Sequence, residues 1–370
     1  MSDKPKIVLG MSGGVDSSVC AYLLKKQGYE VIGLFMQNWD TYVNNDVLGH
    51  VNNQDKQCNV YKDFKDVKNV GKKLGIKVYK VDFIKDYWDE VFKYVVEEYS
   101  KGVTPNPDIL CNKYIKFGSF IKYAKEKFNC NLFAFGHYAK IKKIRNVNHL
   151  CLSKDENKDQ TYFLCWLKQE QIDHILFPLQ NLLKSEVRKI ALEIGLSNHN
   201  KKESTGICFI GERKFNIFLK NYIKPKQGNV IDIVSKKIIA KHDGIMYYTI
   251  GQNKNLDLGG NNEKYYVCKK DVKLNILYVT DKKNKDKYLM SNKCELNKFN
   301  WINKTIPKDN KIFIRFRHRQ ELISGIFEIK NKKFILSYKD TLSVTPGQFA
   351  VLYQKNICLG GGIIKKTFLK

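Results

Sequence analysis

Two kinds of segment in this chain carry residue types that could do chemistry: a glycine-rich turn near the start and two cysteines set in unusual loops. Met11-Ser-Gly-Gly-Val-Asp-Ser17 follows the apolar run Lys6–Met11 and precedes a helix-like stretch. Glycines there permit the φ angles of a tight loop and let backbone N–H groups approach an anion. The helix that follows adds free amides and a partial positive charge. Ser17 and Ser18 supply hydroxyls. The turn lacks the Gly-Lys-[Ser/Thr] ending of a Walker loop and the Gly-x-Gly-x-x-Gly of dinucleotide folds. An ordinary strand-to-helix turn is the competing reading. Asp16 either positions a metal ion or serves as the helix N-cap.

Cys111 ends Thr104-Pro-Asn-Pro-Asp-Ile-Leu-Cys-Asn112. Two prolines are expected to fix this segment as an extended loop, with Asn106 and Asp108 as short polar groups on a stiff frame. A helix is expected over 113–127. Its dipole and Lys113 would then favour a Cys111 thiolate. Cys208 lies in Glu203-Ser-Thr-Gly-Ile-Cys-Phe-Ile-Gly-Glu-Arg213, which has no clear period and reads as a loop. Lys201, Lys202, Arg213 and Lys214 surround it with positive charge, which would lower its pKa and attract an RNA phosphate. For each cysteine the competing reading is a buried thiol.

The other eight cysteines stand at 20, 58, 130, 151, 165, 268, 294 and 358, and none of the ten forms a Cys-x-x-Cys pair. That spacing disfavours a structural zinc site or an iron–sulfur cluster. No metal ligand set is expected among side chains. No apolar run approaches about 18 residues, so no membrane span is expected. No secretory signal pattern is seen, and a cytoplasmic location with reduced thiols is expected. Lys and Arg total 65 against 37 Asp and Glu, a net charge of +28. Such an excess fits a polyanionic partner such as RNA. Compositional bias towards Lys, Asn and Ile would give the same number without a function.

Alternating segments must position these residues. Strands are expected over 6–11, 30–36, 76–82 and 131–136, and helices over 19–27, 60–74 and 86–99. Val91, Phe92, Val95 and Tyr99 share one face of the last helix with Trp88. This order predicts an α/β class: a parallel sheet with helices on both faces. Met36 and Gly136 fall at the carboxyl ends of strands, where such folds bind ligands. Met36 reads equally well as core. The polar stretch 38–57 reads as a long loop. Residues 159–194 read as helical, interrupted at Pro178 and closed by Gly195. From about residue 227 short alternating runs predict an all-β region, a small barrel.

The motifs Ser12–Ser17, Thr104–Asn112, Gly136-His-Tyr138, Lys158-Asp-Gln-Thr-Tyr-Phe163, Ser204–Arg213, Thr345-Pro-Gly-Gln348 and Leu359–Ile364 together resemble the tRNA-specific 2-thiouridylases of the N-type ATP pyrophosphatase superfamily. The resemblance runs in order from about residue 6 to 364. It implies a pyrophosphatase catalytic domain with a helical tRNA-binding part over 1–212, a small central β-rich domain over 213–280 and a C-terminal β-barrel over 281–370. It further implies ATP and Mg²⁺ as cofactors, with Gly10, Met11, Ser12, Gly13, Gly14, Val15, Asp16, Ser17, Met36 and Gly136 at the nucleotide.

By the same resemblance the partners are tRNA and a persulfide donor protein. Cys208 carries the persulfide. Cys111 is the catalytic nucleophile and forms a disulfide with Cys208 as product leaves. Asn106, Pro107 and Asp108 meet the target base. Lys158, Asp159, Gln160, Arg315 and Phe316 contact tRNA. The nearest competing activities on this fold are a tRNA lysidine synthetase or a small-molecule ligase, neither of which needs two such cysteines. A non-catalytic RNA-binding protein fits the charge but not the intact loop. Asn253, Asn255 and Asp257 depart from the pattern, which has a basic residue and two glycines there.

Overall fold

A computed structural model describes residues 4–48, 58–202, 210, 214–256, 258, 264–304, 306–331 and 333–369. Five strands form a wholly parallel sheet: β1 Lys6–Gly10, β2 Glu30–Gln37, β3 Lys77–Asp82, β4 Phe133–Ala134 and β5 Ile175–Leu176, in the order β3-β2-β1-β4-β5. Strand order reverses about β1, so the ligand crevice of such a sheet opens at the carboxyl ends of β1 and its neighbours.

Helices α1 Val15–Lys26, α2 Cys58–Leu74 and α3 Lys184–Glu193 cover one face. Val19, Leu24, Val67, Val70 and Val187 pack there against Ile7, Leu9 and Phe35. Helical segments over 84–100 and 107–128 cover the other face. Tyr87, Phe92, Ile109, Ile115 and Phe120 pack there against Val8, Leu34 and Met36. Each fully buried side chain of this size contributes about 1.5–3 kcal/mol. The expected face Val91, Phe92, Val95 and Tyr99 is buried. Both segments change to π-type winding midway, at Trp88–Phe92 and Asn112–Ser119. A π turn inside a helix re-aims side chains and recurs at functional sites.

Of residues 159–194, the part after Pro178 is helical as expected, as α3 closed by Gly195, but the part before it is not. Thr161–Leu164 is a single 3₁₀ turn, Gln169–Ile172 is one short helix, and β5 follows before Pro178. Over 159–167 the reason is burial on nearly all sides. Trp166 donates its indole N–H to the Gly361 carbonyl at 3.0 Å, and Tyr162 donates to Phe316 or Phe349 at 3.2 Å. Residues 159–167 are wedged between the sheet domain and the barrel, with no exposed position to set a helical period.

The rest is β, as expected. Tyr266–Asp271, Ile276–Thr280, Gly228–Asp232 and Ile238–His242 form a four-stranded sheet in that order. Six antiparallel strands then close on themselves: Met290–Trp301, Lys333–Leu342, Ile323–Lys330, Lys311–Arg315, Phe349–Gln354 and Ile357–Leu369, the last pairing back onto the first. Closure removes the exposed edges. A hairpin from the N-terminal half, Lys140–Ile144 with Val147–Cys151, extends the barrel through Cys151 opposite Ile357. Among the described residues no helix is long and apolar enough to cross a membrane.

Candidate active site

The glycine-rich turn sits at the carboxyl end of β1, as its sequence requires. Gly13 adopts φ +76°, and a Cβ on it would lie 2.5 Å from the Asp63 carbonyl oxygen, so only glycine fits. Gly14, not Asp16, is the N-cap of α1, and no side chain caps it. Ser17 and Ser18 both donate to the Gly14 carbonyl, at 3.1 and 2.9 Å, and the Ser12 N–H donates to Ser17 Oγ at 3.2 Å. The hydroxyls hold the turn in shape before any anion arrives. Gly136 belongs to the same cradle: a Cβ there would stand 3.2 Å from the Ser17 nitrogen. Gly10 is glycine because the Phe135 ring lies 2.9 Å from its Cβ position. Met11, Val15 and Met36 are buried; the first two pack in the α1 core and Met36 in the opposite one.

Residues far away in sequence complete the turn. Lys184 donates to both oxygens of Asp16, at 2.6 and 2.7 Å, and Tyr138 O–H donates to Asp16 at 3.0 Å. The lysine side chain is 10% exposed and the aspartate 31%. Asn198 donates to the Gly13 carbonyl at 3.0 Å and to Ser18 Oγ at 2.9 Å. Lys201 donates to the same carbonyl and pairs with Asp63 and Asp66 at 2.7 and 2.6 Å. Lys201 thus braces the phosphate turn against α2 instead of lying free for an RNA phosphate. Lys184, Asn198 and Lys201 as turn partners had no signal in the sequence beyond the shared motif that holds Tyr138.

Polar groups without partners sit just past the strand ends. Asn38 follows β2, is 1% exposed, and neither of its amide atoms is hydrogen-bonded. His137 follows Gly136, is buried among Phe117, Phe135 and Phe177, and leaves Nδ1 unpaired. Burial, and then the charge of Lys116, push its pKa well below the usual histidine value. Buried polar atoms are ordinarily paired; these two residues stand at the carboxyl ends of β2 and β4, where this fold binds ligands.

Around Cys111 the structure corrects the sequence reading. The helix starts at Pro107, with Asn106 as N-cap accepting from the Ile109 N–H at 3.3 Å. Pro at the first helical position and Asn before it are a start signal. Cys111 therefore lies five residues into a helix, away from its N-terminal amides, and is 0% exposed. The Lys113 ammonium stands 4.2 Å from the Trp166 ring centroid, aimed away to a separate pocket. Neither expected source of thiolate stabilisation holds in that form. What the loop does gain is a clamp from the barrel. Gln348 donates to the Thr104 and Pro105 carbonyls at 3.0 Å and accepts from Asn106 at 3.2 Å. Gly347, at φ +89°, lies so close that a Cβ would meet Val103 at 2.3 Å. Asn106, Pro107 and Asp108 are half-buried.

The expected tRNA-contacting residues divide. Lys158 is half-buried. Gln160 accepts from the Tyr138 N–H at 3.0 Å, which ties it to the nucleotide crevice. Asp159, Arg315 and Phe316 are buried. Asp159 pairs with Arg315 at 2.9 Å, and the Phe316 ring packs 4.7 Å from Tyr338 inside the barrel. The Asp159–Arg315 pair joins the sheet domain to the barrel, while the Phe316 ring belongs to the barrel's core. Arg317 and Arg319 are exposed beside them. Cys208, with its loop, and Asp257 lie outside the described residues. Residues 41–48 form a compact turn in which Trp39 donates to Asp46 at 3.0 Å.

Three family models match the chain in succession: a tRNA methyl transferase HUP domain over residues 5–212, a tRNA methyl transferase PRC-barrel domain over 216–281 and an aminomethyltransferase beta-barrel domain over 291–364. A tRNA-specific 2-thiouridylase MnmA of Ureaplasma urealyticum serovar 10 is 49% identical, covering 99% of this chain and 97% of its own. The protein of that name in Malacoplasma penetrans is 51% identical over 97% of this chain and 98% of its own. The one in Mycoplasma mobile is 50% identical over 99% and 98%.

Proposed function

This chain belongs to the tRNA-specific 2-thiouridylase family, and on that premise we propose that it uses ATP to adenylate the C2 oxygen of a tRNA wobble uridine and then replaces that oxygen with sulfur. It is a tRNA sulfurtransferase. The observation that carries the reading is the preformed turn at the end of β1, with Gly13 where only glycine fits, Gly136 against Ser17 and Asp16 held by Lys184.

Adenylation is needed because a urea-like carbonyl is a poor electrophile and oxide a poor leaving group. The turn amides and Lys184 face the phosphates, stabilising the charge on pyrophosphate as the α–β bond breaks. Mg²⁺ characteristically takes one or two carboxylates plus phosphate oxygens. Asp16 is the carboxylate in the turn, and its partial exposure fits that role. The terminal sulfur of a Cys208 persulfide attacks C2, and AMP leaves with the former oxygen. Cys111, giving up its thiol proton as it reacts, then attacks the inner sulfur of Cys208. A Cys111–Cys208 disulfide forms, and the electron pair of the broken S–S bond stays on the new thiouridine sulfur. An external thiol reduces the disulfide, and a persulfide donor protein reloads Cys208. Asn106, Pro107 and Asp108, clamped by Gln348, hold the flipped base. Lys158 and Gln160 lie on the tRNA path in the cytoplasm, where Asp159, Arg315 and Phe316 set the geometry behind it.

The test is expression in a cell lacking 2-thiouridine, followed by mass spectrometry of tRNA nucleosides. The modified base should return with the wild-type chain and not with Cys208→Ser. Its absence with well-expressed wild type, alongside a competent persulfide donor, would sink the reading.

A further inference from the structure

A cavity of about 340 Å³ opens at the seam between the helical layer and the barrel. Leu110, Lys113 and Tyr114 line it from the Cys111 helix, Tyr94 from the preceding helix, Trp166 from the wedged segment and Lys298 from a barrel strand. Positions 110, 113 and 114 share one helical face, so the cavity lies on a different side of that helix from Cys111. None of its lining residues belongs to the phosphate turn.

Among the described residues, its two lysines have aromatic neighbours but no carboxylate partner. The Lys113 ammonium stands 4.2 Å from the Trp166 ring centroid and 4.9 Å from that of Tyr114. Burial, then the charges of Lys168 and Lys298, push its pKa down. Among the described residues, none of these three lysines forms an ion pair. Glu90, the one carboxylate in the lining, is exposed and pairs with none of them. Lys113 and Lys298 both line the pocket, and an anion between them would be held by both charges. Aromatic faces beside lysines suit a base attached to a phosphate. The volume is within the range of small-ligand pockets.

We propose that this seam pocket binds the phosphate of a nucleotide, either free or within an RNA chain, through Lys113 and Lys298, with its base against the half-buried ring of Tyr94. The site is separate from the ATP turn and does not depend on the thiolation chemistry. Two measurements on the full chain distinguish the sources. AMP binding is counted at saturation by calorimetry. tRNA affinity is followed against salt. If the ligand is free nucleotide, wild type binds one more AMP per chain than Lys113→Gln/Lys298→Gln. If it is an RNA phosphate, AMP stoichiometry is unchanged and the log–log salt slope falls by about one unit per lysine removed. Lys298→Gln alone, at an exposed position, reports a drop of about one unit without risk to the fold. Unchanged AMP stoichiometry together with unchanged salt slopes in both variants overturns the proposal. Because neither readout requires catalysis, a failure of the thiolation reading would leave this result standing.

Discussion

Arg315 and Asp159 stand 156 positions apart in sequence and pair at 2.9 Å with side chains only 10% and 1% exposed, bolting the barrel to the sheet domain. Asp159 also accepts from Thr161 Oγ1 at 2.6 Å and the Ser153 N–H at 3.0 Å. Its carboxylate is thereby satisfied only while the wedged segment is in place.

Arg315→Met leaves a buried carboxylate short of its counter-charge, and the expected loss is about 3–5 kcal/mol of stability. Asp159→Leu should cost a similar amount, and the double variant less than the sum. Denaturant unfolding measures all three. On folded protein, the salt slope of tRNA binding should match wild type in Arg315→Met. A slope lower by about one unit would instead make Arg315 a phosphate contact.

Lys184 holds both oxygens of Asp16 at the phosphate turn. Lys184→Met should lower tRNA-dependent release of AMP and pyrophosphate by about 10²-fold, the scale of one preorganised charge at a developing anion. Lys184→Arg should recover part of that loss. The Lys184→Met fold should persist, because Tyr138 still donates to Asp16. Wild-type turnover in Lys184→Met would remove the lysine from the chemistry.

His137 gives stability a pH dependence. Its folded-state pKa lies well below the unfolded value of about 6.5. The unfolded chain therefore binds the extra proton, and stability is lost as pH falls below about 6.5. His242 and His318, both lowered chiefly by burial, act with the same sign. His137→Phe keeps the ring packing and removes its share. The melting temperature of the variant relative to wild type should rise as pH drops from about 7.5 to about 5.5. The comparison cancels the other groups. A constant difference would show that the imidazole is not buried as a neutral base.

The phosphate turn was legible because it is local: strand, glycines and helix start lie within a dozen residues. Its braces were not. Lys184 and Lys201 are two lysines in a chain with 65 basic residues, and nothing nearby marks them. β5 is two residues long and hides before Pro178, where a helical pattern seemed to run. Met290–Trp301 and Ile357–Leu369 carry little sequence signal because bulges break their alternation and glycines fill the last strand. The start of the Cys111 helix is written in Asn106 and Pro107, but a second proline at 105 also favours an extended chain, so the local signals conflict.

The last prediction concerns the division of labour between the two cysteines. Burial holds the thiols of Cys20 and Cys165 well above their ordinary pKa and pushes Cys268 and Cys294 up to about 12. Such groups stay protonated at neutral pH and cannot carry sulfur as a thiolate. Their replacement by Ala should therefore leave thiolation intact, at a packing cost of about 1–3 kcal/mol. Cys208→Ser should bind tRNA and ATP, since adenylation precedes sulfur transfer, yet lose both persulfide loading and thiouridine. Cys111 is fully buried in the helical layer behind the Asn106–Asp108 turn. It needs to meet only Cys208 and the base, never the donor protein, so Cys111→Ser should accept labelled sulfur on Cys208 and fail to deliver thiouridine. Labelled sulfur bound to protein and labelled thiouridine in tRNA are measured separately for each variant. Thiouridine from Cys208→Ser with a protein donor, or normal yield from Cys111→Ser, would refute the two-cysteine mechanism.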